Sequence, residues 1–176
     1  MNEKTKNENL ERLSVDEFLT SAKQPIIIVL DNVRSLNNVG SVFRTADAFL
    51  IEEIMLCGVT GTPPNKEIEK TALGATHTVK WTHYSTTQNA VETLKQSGYK
   101  VYAVEQAKVK TWLHEFKSIN EKIALIFGNE VYGVEQDIIN SCDGVIEIPQ
   151  LGTKHSLNIS VSVGIVLWEL VRANPL

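Results

Sequence analysis

Two kinds of hydrophobic pattern alternate along this chain. Short runs in which every residue is apolar, at residues 26–30 (IIIVL) and 123–127 (IALIF), are typical of strands covered on both faces, as in parallel sheets. After the first run, apolar residues recur at three- and four-residue steps over residues 39–50, which predicts an amphipathic helix. Strands that alternate with helices predict an α/β fold with a largely parallel sheet.

The same two patterns predict the remaining elements. Residues 1–24 are expected to form a polar tail and a short docking helix, and residues 25–176 a single domain. Asn37 and Asn38 stand where an N-cap of the first long helix is expected. Further strands are predicted at 54–57, 78–81, 100–104 and 145–148, and further helices at 66–73, around 91–95, at 135–141 and at 156–172.

Composition limits the possible functions only weakly. The 176 residues are 43 % hydrophobic and 22 % charged, which is ordinary for a globular protein. A net charge of −4 argues against broad non-specific binding to nucleic acid, although local basic surfaces remain possible. A polar, acid-containing N-terminus and the lack of a long apolar run predict a cytoplasmic protein without a membrane span. Cys57 and Cys142 lack metal or redox spacing, so we expect reduced, partly buried thiols and no metal site.

Three loops that directly follow predicted strands carry an unusual density of polar residues and glycines. They are residues 31–44 (DNVRSLNNVGSVFR), 128–133 (GNEVYG) and 150–158 (QLGTKHSLN). In open parallel sheets, ligands bind at the carboxyl ends of strands, in the loops that follow them. The three loops therefore predict one shared site at that edge of the sheet.

These loops contain three motifs that resemble, in order, those of the SpoU (TrmH-like) family of SPOUT-class RNA ribose 2′-O-methyltransferases. The motifs are Asn38-x-Gly40 with Arg44-Thr45-Ala46, then Phe127-Gly128-x-Glu130-x-x-Gly133, and then Ile148-Pro149 with Gly152 and Ser156-Leu157-Asn158. With their spacings, the three motifs cover most of residues 26–172. One such motif would be weak evidence, whereas three in register are strong evidence.

The resemblance implies both a fold and an activity. It implies a SPOUT-type parallel sheet flanked by helices, with the C-terminal part threaded into a trefoil knot, and a homodimer whose active sites are completed across the interface. It also implies transfer of a methyl group from S-adenosylmethionine, without a metal, to a ribose 2′-hydroxyl of tRNA or rRNA. A tRNA guanosine is slightly favoured. The alternative is a catalytically silent RNA-binding scaffold with the same fold.

The resemblance also implies where the cofactor binds. Adenine needs apolar walls, and close approach of backbone to a ligand favours glycine. The backbones of Gly128, Ile148 and Leu157 are expected to contact the cofactor, and the end of the preceding strand is expected to form another side. Taken singly, the glycines have a plainer explanation as turn residues and the apolar residues as core. The full predicted set is Val104, Glu105, Phe127, Gly128, Ile148, Pro149 and Leu157.

Arg44 is the residue that the resemblance places in catalysis, in contact with the target ribose and its phosphate. A guanidinium has a pKa above about 12, so positioning of a phosphate and stabilisation of a developing alkoxide are better founded than general-base action. The plainer alternative is a surface arginine that pairs with Asp47.

Four further residues complete the predicted catalytic set. By resemblance, Asn38 lies close to Arg44, although an asparagine here also suits a helix cap. Glu130 is expected to pair with Arg44 or with another basic group. Ser156 and Asn158 are expected to organise the pocket and to cap the last helix.

Two expectations concern surfaces. No extra N-terminal RNA-binding domain is expected, so RNA is expected to be recognised by the catalytic dimer and its tails, including basic positions. Gly164 interrupts the last predicted helix, which suggests close packing there, for example at a dimer seam, and the apolar character of that helix predicts that it is mostly buried, with a subunit interface as one explanation. The basic positions are Lys4, Lys6, Arg12, Lys66 and Lys70.

Overall fold

A seven-stranded sheet forms the centre of the computed structural model, which describes residues 2–6, 9–117 and 121–173. All of its strand pairs are parallel, and the strand order is β3-β2-β1-β6-β4-β7-β5. This confirms the prediction of a parallel α/β sheet. The strands are β1 Gln24–Asp31, β2 Ile51–Cys57, β3 Trp81–Tyr84, β4 Lys100–Val104, β5 Thr111–Trp112, β6 Ile123–Phe127 and β7 Gly144–Glu147.

Helices cover both faces of the sheet. They are α1 Val15–Thr20, α2 Leu36–Ala48, α3 Lys66–Ala72, α4 Thr87–Gln96, α5 Gln136–Ser141 and α6 Ile159–Ala173, with 3-10 turns at Ala75–His77 and Leu113–Glu115. Side chains of β1 alternate between two cores. Ile28 and Leu30 pack with α2, α3 and α6, whereas Ile27 and Val29 pack with α4 and α5. Burial on both faces explains why the strand sequence is apolar without interruption.

The element boundaries test the hydrophobic patterns. β4 and β6 have the predicted bounds. The predicted strand at 78–81 is wrong, because Thr78 belongs to the preceding turn and its hydroxyl donates to Asp47 at 2.5 Å and to the carbonyl of Ala75 at 3.1 Å. The strand begins three residues later, where Trp81 pairs with Ile54. β5 has only two residues, too few to show a periodicity.

The helix caps differ from the predicted ones. Ser35 caps α2, since its hydroxyl accepts the amide of Asn38 at 3.3 Å, so Asn37 and Asn38 lie inside the first turn. The last helix begins at Ile159 rather than at 156, and its cap is Asn158, whose side-chain oxygen accepts the amide of Ser160 at 2.9 Å. Ser156 therefore lies outside the helix. In both cases periodicity located the helix and the cap chemistry fixed its first residue.

The N-terminal segment docks on the core through one side chain. The predicted short helix is α1, and Phe18 is its buried residue. Leu13 and Leu19 are about half exposed, at 51 % and 57 %. None of the described helices is long and apolar enough to cross a bilayer.

One face of α6 is exposed, contrary to the prediction of a mostly buried helix. Val163, Val166 and Leu167 are buried, but Val161 and Trp168 are 49 % and 60 % exposed. Among the described residues of the chain nothing packs closely on Gly164, since a Cβ there would meet nothing within 4 Å. Helix α6 is therefore apolar on two faces. One face packs in the core of this chain, and the other is exposed to solvent.

Both cysteines are free thiols, as predicted. Burial raises the pKa of Cys57 to about 12 and that of Cys142 to about 11. Because the thiolate is the reactive form, alkylation by iodoacetamide at about pH 8 should be roughly 100-fold or more slower in the folded protein than in denaturant. Mass spectrometry of time points measures both rates. Equal rates in the two states would contradict the burial of these thiols.

Candidate functional site

A cavity of about 500 Å³ lies at the carboxyl ends of β4, β6 and β7. It is closed on the other side by the segment 148–158 and by the first turn of α6. The strand order produces this arrangement, because β4 lies between β6 and β7 and the loops that follow these three parallel strands meet at one edge of the sheet. Ligands of open parallel sheets bind at such a crevice.

Six of the seven residues predicted to bind the cofactor line this cavity. Pro149 does not, although it lies between two lining residues, Ile148 and Gln150. Pro149 is exposed and lies outside the cavity lining, so the structure does not support it as a cofactor contact. The six lining residues are Val104, Glu105, Phe127, Gly128, Ile148 and Leu157.

The loop after β6 folds back tightly on itself and forms one wall of the cavity. Two backbone hydrogen bonds close it, from the amide of Asn129 to the carbonyl of Gly133 at 3.1 Å and in the reverse direction at 2.9 Å. A Cβ on Gly128 would lie 2.1 Å from the carbonyl carbon of Gly133, and Gly133 itself has φ +68°. Both glycines are therefore required by the shape of this wall.

Glu105 fastens this loop to the neighbouring strand end. One carboxylate oxygen accepts the amide of Val134 at 3.0 Å and the other accepts that of Gln106 at 2.8 Å. The acid that was predicted to lie beside the cofactor thus also fixes two walls of the cavity relative to each other. In addition, the side-chain amide of Gln106 donates to the carbonyl of His155.

A chain of hydrogen bonds connects the three sequence motifs. Glu130 accepts the backbone amides of Arg34 and Ser35, both at 3.1 Å, and the side-chain amide of Asn38 at 3.2 Å. Asn38 in turn accepts the side-chain amide of Asn158 at 3.2 Å. Residues 120 positions apart are thereby joined at the mouth of the cavity. The predicted catalytic residues Asn38, Glu130 and Asn158 do come together.

The environment of Glu130 keeps it ionised. Burial works to raise the pKa of this carboxyl, but the hydrogen bonds from backbone amides and from Asn38 outweigh it and lower the pKa below its ordinary value. A carboxylate at the amino end of α2 is also favoured by the helix dipole. Glu130 therefore acts on α2 as an additional cap supplied by a distant loop.

Arg44 lies apart from this network. Within the described residues Glu130 forms no ion pair with Arg44 or with another basic side chain, and its partners are the backbone amides and Asn38. Arg44 does not pair with Asp47 either, which accepts the hydroxyl of Thr78. Arg44 is exposed and does not line the cavity, whereas Ser156 does. Six residues of α-helix place Arg44 about 120° around α2 from Asn38, which explains the separation.

Asn129 is a site residue that the sequence analysis missed. It is buried, its side-chain amide donates to the carbonyl of Asn32 at 2.8 Å, and its side-chain oxygen accepts the amide of Val131 at 2.8 Å. It thus holds the loop after β6 against the loop after β1. The available signal was an asparagine directly after a strand, since asparagine side chains commonly bond backbone two residues ahead.

Glu130→Gln tests the cap. We expect the free energy of unfolding at pH 7 to fall by about 1 kcal/mol, a value reduced by solvent screening, because an amide is a weaker acceptor for the three N–H donors. With a folded-state pKa below the ordinary value of 4.5, the carboxylate stabilises the fold above that pH and loses this effect as the pH falls through the folded pKa.

Urea unfolding of both proteins at pH 7 and at about pH 3 measures this difference. It should be present at pH 7 and shrink in acid. Glu121→Gln, which replaces an exposed acid at the opposite end of β6, serves as the control and should leave stability unchanged. A difference between wild type and Glu130→Gln that is the same at both pH values would contradict the assigned role.

Comparison with known proteins agrees with this geometry. The model of the SpoU rRNA Methylase family matches residues 25–168. The chain is 30 % identical over 166 residues to a tRNA (guanosine(18)-2′-O)-methyltransferase of Thermus thermophilus, covering 92 % of this chain and 81 % of the relative. It is 31 % identical over 166 residues to the 23S rRNA (guanosine-2′-O-)-methyltransferase RlmB of Vibrio parahaemolyticus, covering 94 % of this chain and 65 % of that protein.

A solved structure shares the fold. The AdoMet-bound rRNA methyltransferase from Sinorhizobium meliloti superposes with a TM-score of 0.80 at 26 % identity, covering 93 % of this chain and 62 % of that one. This chain therefore spans about two thirds of the length of several proteins it resembles. Since the family model extends across both ends of the hydrogen-bonded network, from Asn38 to Asn158, the chain belongs to the SpoU rRNA methylase family.

Proposed function

We propose that this protein transfers a methyl group from S-adenosylmethionine to a ribose 2′-hydroxyl of tRNA or rRNA. The observation that carries the proposal is the cavity of about 500 Å³, to which the second and third family motifs contribute walls. Hydrogen bonds from Asn38 to Glu130 and from Asn158 to Asn38 join its mouth to the first motif. The names of the two relatives support the same reaction, and both specify guanosine.

The residues of the cavity fit this cofactor. Val104, Phe127, Ile148 and Leu157 provide apolar surface for adenine, and the volume lies in the range of small-molecule sites. The glycine-rich wall brings backbone close to a ligand. Glu105 and Glu130 line the cavity and favour a positively charged group, whereas Glu147, which also lines it, is paired with Lys110 at 3.1 Å. When bound, the cofactor supplies an electrophilic methyl group on a cationic sulfur.

The chain's own residues position the acceptor ribose. Glu130 and Asn38 hold the amino end of α2, and Asn158 holds that of α6, so the cavity mouth is fixed before any RNA binds. Ser156 lies on the wall beside Asn158 and offers a hydroxyl to the ribose. Arg44 orients the adjacent phosphate through its planar guanidinium and stabilises negative charge on the attacking oxygen.

Arg44 lies outside the cavity of its own chain, which supports an active site completed across a homodimer. The exposed apolar face of α6 supports the same assembly. Val161, Ile165 and Trp168 follow one another at four- and three-residue steps and are 49 %, 38 % and 60 % exposed. A surface of this kind marks an interaction site, and a second copy with the same face would bury it symmetrically.

The proposal extends to the path of the C-terminal chain and to RNA contacts. A trefoil knot threads residues beyond β7, in keeping with the position of 148–158 across the ends of β4 and β6. Residues 25–176 form the methyltransferase domain, and residues 1–24 the tail that precedes it. The protein acts in the cytoplasm, and exposed basic residues of the tail and of α3 contact RNA phosphates. These are Lys4, Lys6, Arg12, Lys66 and Lys70.

Arg44→Ala should retain affinity for S-adenosylmethionine and lose methyl transfer by roughly 100-fold or more, because the residue acts on the acceptor and its phosphate. Calorimetry measures the first property. Transfer of labelled methyl to RNA from a strain that lacks the gene measures the second, and mapping of 2′-O-methyl sites in that RNA identifies the substrate.

Lys122→Ala is the matched control, since it removes one exposed cation at the amino end of β6. It should behave as wild type. Equal turnover of Arg44→Ala and wild type would make Arg44 a surface residue. Cofactor binding without transfer by the wild-type protein would favour the silent RNA-binding scaffold.

Trp168→Glu should convert the homodimer to a monomer, because a carboxylate would be desolvated in the interface. Sedimentation velocity measures the assembly state. Val109→Glu places the same charge at an exposed valine elsewhere on the surface, 87 % accessible, and should leave the dimer intact. A wild-type monomer, or a dimer that tolerates Trp168→Glu, would contradict the proposed interface.

A further inference from the structure

A second cavity, of about 300 Å³, lies on the other side of the loop after β6. Asn129, Tyr132 and Gly133 line both this cavity and the larger one, so a single loop separates the two. The remaining walls come from the loops after β1 and β2 and from Glu135, which directly precedes α5. A ligand group in the second cavity is therefore adjacent to whatever occupies the first.

Two large apolar side chains that line this cavity are exposed. Tyr132 is 79 % exposed and Val59 is 68 % exposed. Tyr132 is carried on a fixed backbone, since its amide donates to the side chain of Asn129 at 3.3 Å and the loop is closed at Gly133. An aromatic ring held on a rigid loop, with an aliphatic side chain in the same cavity, suits a flat ring system.

The charges around the cavity favour a nucleobase over a phosphate. Asp31 is 1 % exposed, its Oδ1 accepts the hydroxyl of Thr87 and the side-chain amide of Asn32, and its Oδ2 has no hydrogen-bond partner. Glu135 contributes a second carboxylate and Arg34 one guanidinium. Two acids against one base repel a phosphate and attract a group rich in N–H donors.

Glu135 and Arg34 carry the acceptor and donor groups that match the edges of guanine. Both side chains are exposed, and within the described residues neither forms an ion pair. Guanine presents two adjacent N–H donors on its Watson–Crick edge, which a carboxylate can accept together. It also presents the acceptors O6 and N7, to which an arginine donates. Adenine, cytosine and uracil each lack part of this pattern.

We infer that the second cavity binds the guanine base of the nucleotide whose ribose is methylated in the first. Tyr132 and Val59 bracket the ring, Glu135 accepts its N1 and N2 hydrogens, and Arg34 donates to O6 and N7. The inference rests on the proposed methyl transfer. The base is unstacked from its RNA and seated one loop away from the cofactor, as sequence-specific recognition of single-stranded RNA requires.

Nucleotide binding tests the cavity without any dependence on catalysis. Labelled protein is titrated with GMP, AMP, CMP or UMP to about 10 mM, and the NMR signals of the Val59 methyl groups and the Tyr132 ring are followed. GMP should shift both, several-fold more strongly than the other three nucleotides. Glu135→Gln should abolish this preference, whereas Asp137→Asn, an exposed acid on α5, should retain it. Equal shifts with all four nucleotides, or shifts elsewhere only, would overturn the inference.

Methyl transfer to RNA from the deletion strain provides the second measurement. Tyr132→Ala should lower kcat/KM for RNA by roughly 5- to 100-fold, and Tyr132→Phe should restore it. Because Tyr132 also lines the larger cavity, Val59→Ala, which changes only the second cavity, should lower kcat/KM for RNA with affinity for S-adenosylmethionine unchanged. Val109→Ala is the matched truncation outside both cavities and should behave as wild type. Nuclease digestion should give 2′-O-methylguanosine as the product.

The outcomes separate the two proposals. GMP binding at Tyr132 without any methyl transfer would leave the base site standing and remove the proposed function. Methyl transfer to a nucleoside other than guanosine, or normal transfer to guanosine by Tyr132→Ala, would leave the function standing and overturn the base site.

Discussion

The carboxylate of Glu130 is the point on which the site depends. It accepts two backbone amides and one side-chain amide from the start of α2, although it belongs to a loop more than 90 residues further along the chain. Asn38 in turn accepts a hydrogen bond from the side-chain amide of Asn158 at the start of α6. Two helix starts and one strand end are thus fixed relative to each other by charge-assisted hydrogen bonds at the mouth of the cavity.

The parallel sheet makes this connection possible. The carboxyl ends of β1, β4, β6 and β7 meet at one edge, so the loops that follow them are neighbours in space although they are distant in sequence. The loop after β6 lies at the centre of this arrangement. Backbone hydrogen bonds between Asn129 and Gly133 close it tightly, so a cavity lies on each side of it. One face lines the cavity proposed for the cofactor, and the other lines the cavity proposed for a base.

Local sequence predicted the elements well where burial is two-sided or where periodicity is long. β6 was predicted with its bounds, because a strand covered on both faces has no polar position. Predictions failed where side-chain hydrogen bonds decide the backbone. Thr78 turned out to belong to a turn rather than a strand, and Asn158 rather than Ser156 caps α6, since such bonds depend on which partner is near.

By itself the sequence determined the parallel α/β architecture, the family and most of the residues that line the larger cavity, because hydrophobic period and motif spacing are local properties of the chain. Only the tertiary structure decided which polar groups are partners. It paired Glu130 with backbone amides rather than with Arg44, left Arg44 and one face of α6 exposed, and opened a second cavity beside Tyr132. Such pairings depend on distances between loops that the sequence separates and the sheet brings together.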